Sequence, residues 1–287
     1  MNVLKDVKIT SFTQTIWVSD AAKQAWQKNI NEINRMVDLL EVESVVAGHR
    51  RCAWRTMSRN EFPEFTKNIA AKGIMVYPVQ FVGTWEGFIH HTPPGDTHVY
   101  CIISRNIEDA KKFKAAYDRG DHAGQGEMLG FPKCCCDAFA RNWAAGYFDP
   151  IWQAAINTPG LKWQGELNVP NGRSPEEVAD VAAHPFSNPV LRYIGLRYGF
   201  HIPCSFQCAE TISEMEKRHL LAVEYDAELA TLLLALLKMP MTWDVLHGIA
   251  NITTPLFRVI TNSIPTAEKY TVHIAGDYIP PHGIWHE

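Results

Sequence analysis

The chain has 287 residues, of which 46% are hydrophobic and 20% are charged, and its formal net charge is −4 at pH 7. These values are typical of a globular protein that can bury a large core in one big domain or two smaller ones. The net charge argues against a protein that nucleic acid holds by a general electrostatic field. The short basic segment His49-Arg50-Arg51 keeps a local nucleic-acid contact possible.

No stretch at the N-terminus has the apolar core of a signal peptide. The longest apolar run, residues 229–237, is too short to span a membrane. We therefore expect a cytoplasmic protein without a membrane partner. Cytoplasmic thiols are kept reduced, so clustered cysteines there indicate metal binding or catalysis more than a disulfide framework.

Strands and helices are mixed in the first half of the chain. Apolar residues at helical spacing after Ser19 predict an amphipathic helix over 20–41. Ser58 and Glu61 form a capping box at the start of another helix, which we expect to end near Lys72. Further elements are predicted as strands at 8–17, 74–82, 84–91 and 97–104, and as helices at 108–117 and 123–129.

Helical spacing dominates the middle of the chain. From Cys204 onwards it predicts one long helix or two abutting helices, closed by Pro240. Alternating residues at 256–261 and 269–274 predict a C-terminal strand pair. The whole pattern predicts an α+β fold with a mixed α/β N-terminal half, a helical middle carrying the cysteines, and this strand pair. We divide it into a mixed α/β region, 1–125, and a cysteine-motif helical region with a C-terminal β-hairpin, 126–287, packed as one compact unit.

Five of the seven cysteines lie in two short segments, 134–136 and 204–208. A proline precedes each segment and helical spacing follows it, so we expect each segment to open a helix. The positive end of a helix favours the thiolate form. Cys204 and Cys208 are four residues apart and would share a helix face. Of the consecutive Cys134, Cys135 and Cys136, only two can converge, and the spacing leaves open which two.

Two further cysteines stand alone. Cys52 and Cys101 each lie in an apolar, strand-like run. Free cysteine is commonly a small buried hydrophobic residue, and we expect that role here.

The segments Leu129-Gly130-Phe131-Pro132-Lys133-Cys134-Cys135 and His201-Ile202-Pro203-Cys204-Ser205-Phe206-Gln207-Cys208 resemble the two signature motifs of an uncharacterised prokaryotic family, the domain of unknown function 483. The resemblance extends over most of the chain. It implies a cysteine doublet at Cys134 and Cys135, with Cys136 as an extra residue. The family has no established activity, so the resemblance supports the cysteine pairing without supplying a function.

Two converging helix starts would place four sulfurs together. We expect a metal site formed by Cys134, Cys135, Cys204 and Cys208, with Cys136 as an alternative ligand. A cysteine doublet at a helix start fits the usual zinc knuckle poorly, whereas it can reach different corners of an iron–sulfur cluster. We therefore favour a [4Fe–4S] cluster, with Zn²⁺ as the alternative.

An iron–sulfur centre with an open iron would make the protein an enzyme that uses Lewis-acid, sulfur-transfer or redox chemistry on a small molecule. Its acid–base groups would come from Asp137, His201, Glu210 and His49. A fully ligated cluster would instead serve a redox partner protein. Two alternatives stay open, namely a zinc-stapled binding module without catalysis and a thiol enzyme that uses Cys134 or Cys208.

Overall fold

The computed structural model describes residues 12–83, 95–144, 149–164, 177–264 and 269–276, except the side chains of 143, 144 and 177. Most of the strands form one seven-stranded sheet in the order β1-β9-β8-β7-β10-β6-β5. Neighbours are antiparallel except β10 and β6, which are parallel. The strands are β1 (Thr13–Trp17), β5 (Lys162–Gln164), β6 (Glu177–Ala182), β7 (Met241–Leu246), β8 (Ile249–Thr253), β9 (Phe257–Thr261) and β10 (Lys269–Ala275).

A second, three-stranded antiparallel sheet has the order β2-β4-β3 and is formed by β2 (Cys52–Ser58), β3 (Met75–Val82) and β4 (His98–Ser104). Side chains alternate between its two faces, so both faces can bury apolar residues. Ile102 packs with α3 (Ile107–Asp118) and α4 (His122–Met128). The neighbouring Ile103 packs on the opposite side, with the end of the first helix and with α2 (Phe62–Ala70).

The first helix, α1 (Asp20–Val46), connects the cores of the two sheets. Ser19 caps it by accepting a hydrogen bond from the Ala22 N–H at 3.1 Å. Its apolar stripe, from Trp26 to Leu40, belongs to the core of the large sheet. Its last turns, including Val45, pack against the small sheet.

Helices cover the large sheet through its main apolar core. They are α6 (Pro150–Ile156), α7 (Ala209–Tyr225) and α8 (Ala227–Leu237), with two short 3₁₀ helices at Pro185–Ser187 and Val190–Ile194. α7 and α8 are separated at Asp226, whose carboxylate caps α8 by accepting from the N–H groups of Glu228 and Leu229. The periodic region after Cys204 therefore contains two abutting helices.

The predicted α+β class is confirmed, with one change in the C-terminal strands. The strands expected at 256–261 and 269–274 are β9 and β10, but they do not pair with each other. The hairpin of β7 and β8 lies between them, because each of its strands pairs with one of the two. The strand predicted at 84–91 and part of that at 8–17 lie outside the described residues. No helix in the described ranges is long and apolar enough to cross a membrane.

Candidate metal centre

The first cysteine segment opens α5 (Lys133–Ala144), as the sequence predicted. The Pro132 carbonyl accepts hydrogen bonds from the N–H groups of Cys135 and Cys136, at 2.9 and 3.0 Å. Just before it, Gly130 has a φ of +71°, and a side chain there would meet Cβ of Arg50 at 2.7 Å. Glycine is therefore required for the turn that places the cysteines in the first turn of α5.

The second cysteine segment, 204–208, does not open a helix as predicted. The helix begins at Ala209, so Cys204 lies in a turn and Cys208 is the N-cap. The turn is held by buried contacts, since the Phe206 N–H donates to Oγ1 of Thr158 at 2.9 Å and the Phe206 carbonyl accepts from the N–H of His184. Cys204 and Cys208 therefore converge through the turn and not through a shared helix face.

The two segments bring four sulfur atoms together. Sγ of Cys208 lies 3.6 Å from Sγ of both Cys134 and Cys135. The sulfurs of Cys134 and Cys135 are 3.8 Å apart. Sγ of Cys204 completes the set, in which all four atoms lie within 4.8 Å of one another. The Cys204 N–H also donates to Sγ of Cys135 at 3.3 Å. These four side chains can hold a metal ion.

The other three cysteines lie outside this set. The thiol of Cys136 points to the Phe131 carbonyl at 3.7 Å, on the side of Gly126. Of the three consecutive cysteines, Cys134 and Cys135 are thus the two that converge with the second segment. Cys52 and Cys101 are fully buried in the core of the small sheet, as predicted.

The four thiols share their protons unequally. Hydrogen bonds from Cys135 and, secondarily, from Thr211 lower the pKa of Cys208 to about 4, against the opposing effect of burial. The bond to Cys208 and burial raise the pKa of Cys135. Burial and Cys208 likewise raise the pKa values of Cys134 and Cys204, the latter to about 12. Four thiolates at this spacing repel one another, and a bound cation would remove that repulsion.

A short hydrogen-bond chain extends from the sulfurs into the protein. Oγ1 of Thr211, in the first turn of α7, lies 3.3 Å from Sγ of Cys135. Nε2 of His201 lies 2.9 Å from the same Oγ1 atom. Burial and, to a smaller extent, the nearby charges of Arg218 and Arg50 lower the pKa of His201 to about 3. His201 is therefore an uncharged neighbour of the cysteine set, one residue removed from it.

The two arginines belong to a buried ion cluster. Glu41, near the end of α1, binds Arg50 with one carboxylate oxygen and Arg218 of α7 with the other. The carboxylate oxygen of Glu41 lies 2.5 Å from the guanidinium nitrogen of Arg218. Arg218 also donates to the Tyr198 carbonyl. All three charged side chains are at most 6% exposed. The cluster holds two positive charges against one negative charge, so its surroundings favour anions.

The other predicted acid–base residues lie on the surface. Asp137 forms an ion pair of 2.7 Å with Lys133, whose side chain is 85% exposed. Glu210 and His49 are exposed. Among the four candidates, the structure connects only His201 to the cysteine set by a hydrogen-bond chain among the described residues. The catalytic roles of all four stay predictions.

Three residues of this region were missed by the sequence analysis, namely Thr211, Glu41 and Arg218. Glu41 follows the apolar stripe of α1 at the spacing of Ile30, Ile33 and Val37, where an apolar residue would be expected. A charged residue on a buried stripe needs a partner of opposite charge. That rule could have marked Glu41, but it could not have named the arginines that pair with it.

Comparison with known proteins adds no relative. No protein-family model, no curated protein and no solved structure matches the chain. The resemblance to the domain of unknown function 483 stays a prediction. The function must therefore be inferred from the site itself.

Proposed function

We propose that the protein is a zinc-stapled binding module, in which Cys134, Cys135, Cys204 and Cys208 hold one Zn²⁺ ion. The observation that carries the proposal is the spacing of the sulfurs. A tetrahedral site with Zn–S bonds of about 2.3 Å has S–S edges of about 3.8 Å. The hydrogen-bonded sulfur pairs are separated by 3.6–3.8 Å, in agreement with that edge.

A [4Fe–4S] cluster, favoured from the sequence, requires a wider arrangement. Its four thiolates bind four different irons and are separated by the cluster. The present set, confined to 4.8 Å, offers less room than such a cluster needs. An iron–sulfur enzyme is retained as a second candidate because Cys135 lines a cavity that a small substrate can enter.

The proposed zinc would connect two distant parts of the chain. Cys134 belongs to α5, which packs on α4 beside the small sheet, whereas Cys208 caps α7 in the core of the large sheet. The two residues are 74 positions apart in the sequence. Four protein ligands leave zinc no open position, which is the arrangement of a structural site. Zinc would therefore hold these two parts together without taking part in chemistry.

Metal and acid-labile sulfide analysis of protein purified without oxygen tests the proposal. We expect about one zinc per chain, no sulfide and no visible absorbance. The Cys204→Ser variant should lose the zinc. Cys136→Ser is the matched control, because Cys136 is in the same segment but outside the sulfur set, and it should keep the zinc.

Three results would overturn this proposal. About four irons and four sulfides per chain would establish the cluster of the second candidate. Iron without sulfide would indicate a mononuclear iron site with the same four ligands, because its geometry also needs a tetrahedron of sulfurs. Full retention of metal by Cys204→Ser would show that the four cysteines are not the ligands.

A further inference from the structure

A cavity of about 260 Å³ lies next to the cysteine set. Its walls come from three parts of the chain, namely the small sheet, the α4–α5 pair, and the segment from the second 3₁₀ helix to Ile202. Cys135 and Cys136 form part of one wall. A larger cavity of about 510 Å³ is lined by residues of β6, β7 and β10 and contains none of the four cysteines.

Aromatic rings form much of the wall of the 260 Å³ cavity. Trp54 lies between Tyr100 and Phe200, with ring centroids 5.7 and 5.8 Å away. Phe131 and Phe139 line the side of α5. All five residues are only partly buried. Flat apolar walls of this kind suit a flat aromatic ligand.

The charge of the cavity is positive. Arg192 lines it, and no lining residue that the structure describes is acidic. Within the described ranges, the Arg192 guanidinium makes no hydrogen bond or ion pair. Its neighbour Arg197 is engaged, because it lies 3.9 Å from the centre of the Phe200 ring and donates to the Arg192 carbonyl at 3.1 Å. A partly buried guanidinium without a partner suits a carboxylate, which it can bind with two parallel hydrogen bonds.

We propose that this cavity binds a small planar aromatic carboxylate, with its ring between the aromatic walls and its carboxylate on Arg192. A volume of about 260 Å³ lies just below the usual range for ligand pockets, about 300–1,000 Å³. It therefore suits a molecule of one or two fused rings and excludes a dinucleotide. The inference goes beyond the structural zinc and does not depend on which metal the cysteines hold.

Two probes of nearly equal shape test the role of charge. Naphthalene-2-carboxylate and naphthalene-2-carboxamide can be titrated into the metal-loaded full chain by calorimetry or by ligand-detected NMR. We expect the carboxylate to bind about tenfold more tightly, because its bond to a guanidinium is charge-assisted. Equal binding of the two probes, or binding of neither at millimolar concentration, would overturn the proposal.

Variants then assign the preference to one residue. In Arg192→Gln the carboxylate and the carboxamide should bind with nearly equal affinity, because carboxylate binding weakens while carboxamide binding stays unchanged. Arg141→Gln is the matched control, since Arg141 is an exposed arginine on α5 that does not line the cavity, and it should keep the tenfold ratio. Trp54→Leu should lower the affinity for both probes by a similar factor.

An unchanged ratio in Arg192→Gln would also overturn the proposal. Metal content measured on each variant separates loss of this pocket from loss of the metal centre. The comparison of the two probes on the wild-type chain needs no substitution, so it decides the question even where a variant does not fold.

Discussion

Two buried polar clusters attach the same helix, α7, to the rest of the protein. The four sulfurs meet at its first turn, through Cys208, and the ion cluster of Glu41, Arg50 and Arg218 meets it about three turns later. Both clusters bring together residues that are far apart in the sequence. They differ in how their charge is balanced.

The ion cluster brings its own charges, since a carboxylate lies between two guanidinium groups. The sulfur cluster does not, because its thiols can all become ligands only when a cation replaces their protons. The first cluster therefore forms with the fold, and under the zinc proposal the second depends on a metal supplied from outside. The following predictions, ordered from the largest expected effect to the smallest, test that difference.

Loss of the metal should have the largest effect. Cys208→Ser removes the sulfur that contacts two others, and we expect it to bind little metal. Its free energy of unfolding should fall by at least about 5 kcal/mol, since structural zinc contributes about 10–16 kcal/mol in isolated zinc-finger peptides. Urea denaturation without oxygen measures this change. Cys136→Ser should keep the metal, and a Cys208→Ser protein with full metal content would contradict the prediction.

Breaking the ion cluster should lower the free energy of unfolding by less than loss of the metal does. Glu41→Gln leaves two buried arginines without their carboxylate, and we expect a loss of about 3–5 kcal/mol in the free energy of unfolding. The metal content should stay the same, because the cluster shares no residue with the sulfurs. Glu43→Gln serves as the control, since Glu43 pairs with the exposed Lys72 and its loss should cost about 1 kcal/mol or less. Equal effects of the two variants would count against a special role of Glu41.

The third-largest effect should be a change in stability with pH that comes from His201. The pKa of His201 is about 3, below its ordinary value of 6.5. An unfolded chain therefore takes up a proton near pH 6.5 that the folded protein does not accept. The free energy of unfolding should fall as the pH drops below 6.5, by up to about 1.4 kcal/mol per pH unit from this group.

Urea denaturation between pH 7 and 5.5 checks this slope, with the metal content followed in parallel. His201→Gln should show a flatter dependence, because it removes the group that titrates. Parallel curves for the two proteins would show that His201 is not the source of the slope.

Loss of the surface ion pair between Asp137 and Lys133 should have the smallest effect on stability. Asp137→Asn breaks the ion pair with the exposed Lys133, and we expect a change of about 1 kcal/mol or less in the free energy of unfolding. Its metal content should equal that of the wild-type chain. A clear loss of metal would show that Asp137 supports the centre, contrary to its position on the surface.

Elements whose signal is local in the sequence were predicted correctly. The α1 stripe and the start of α5 after Pro132 follow from residue spacing and capping within a few positions. The same local rule failed at Cys204, because buried contacts to Thr158 and His184 hold that segment in a turn. A helix-start pattern cannot reveal a bond to a residue some 48 positions away.

The sequence by itself determined the α+β class, the two cysteine segments and the burial of Cys52 and Cys101. These depend on periodicity and residue type, which act over a few neighbouring positions. Only the tertiary structure decided that Cys134 and Cys135 converge with the second segment, that the four sulfurs lie within 4.8 Å of one another, and that Glu41 lies between two arginines. Distances between remote segments follow from how whole helices and sheets pack, and no local pattern encodes them.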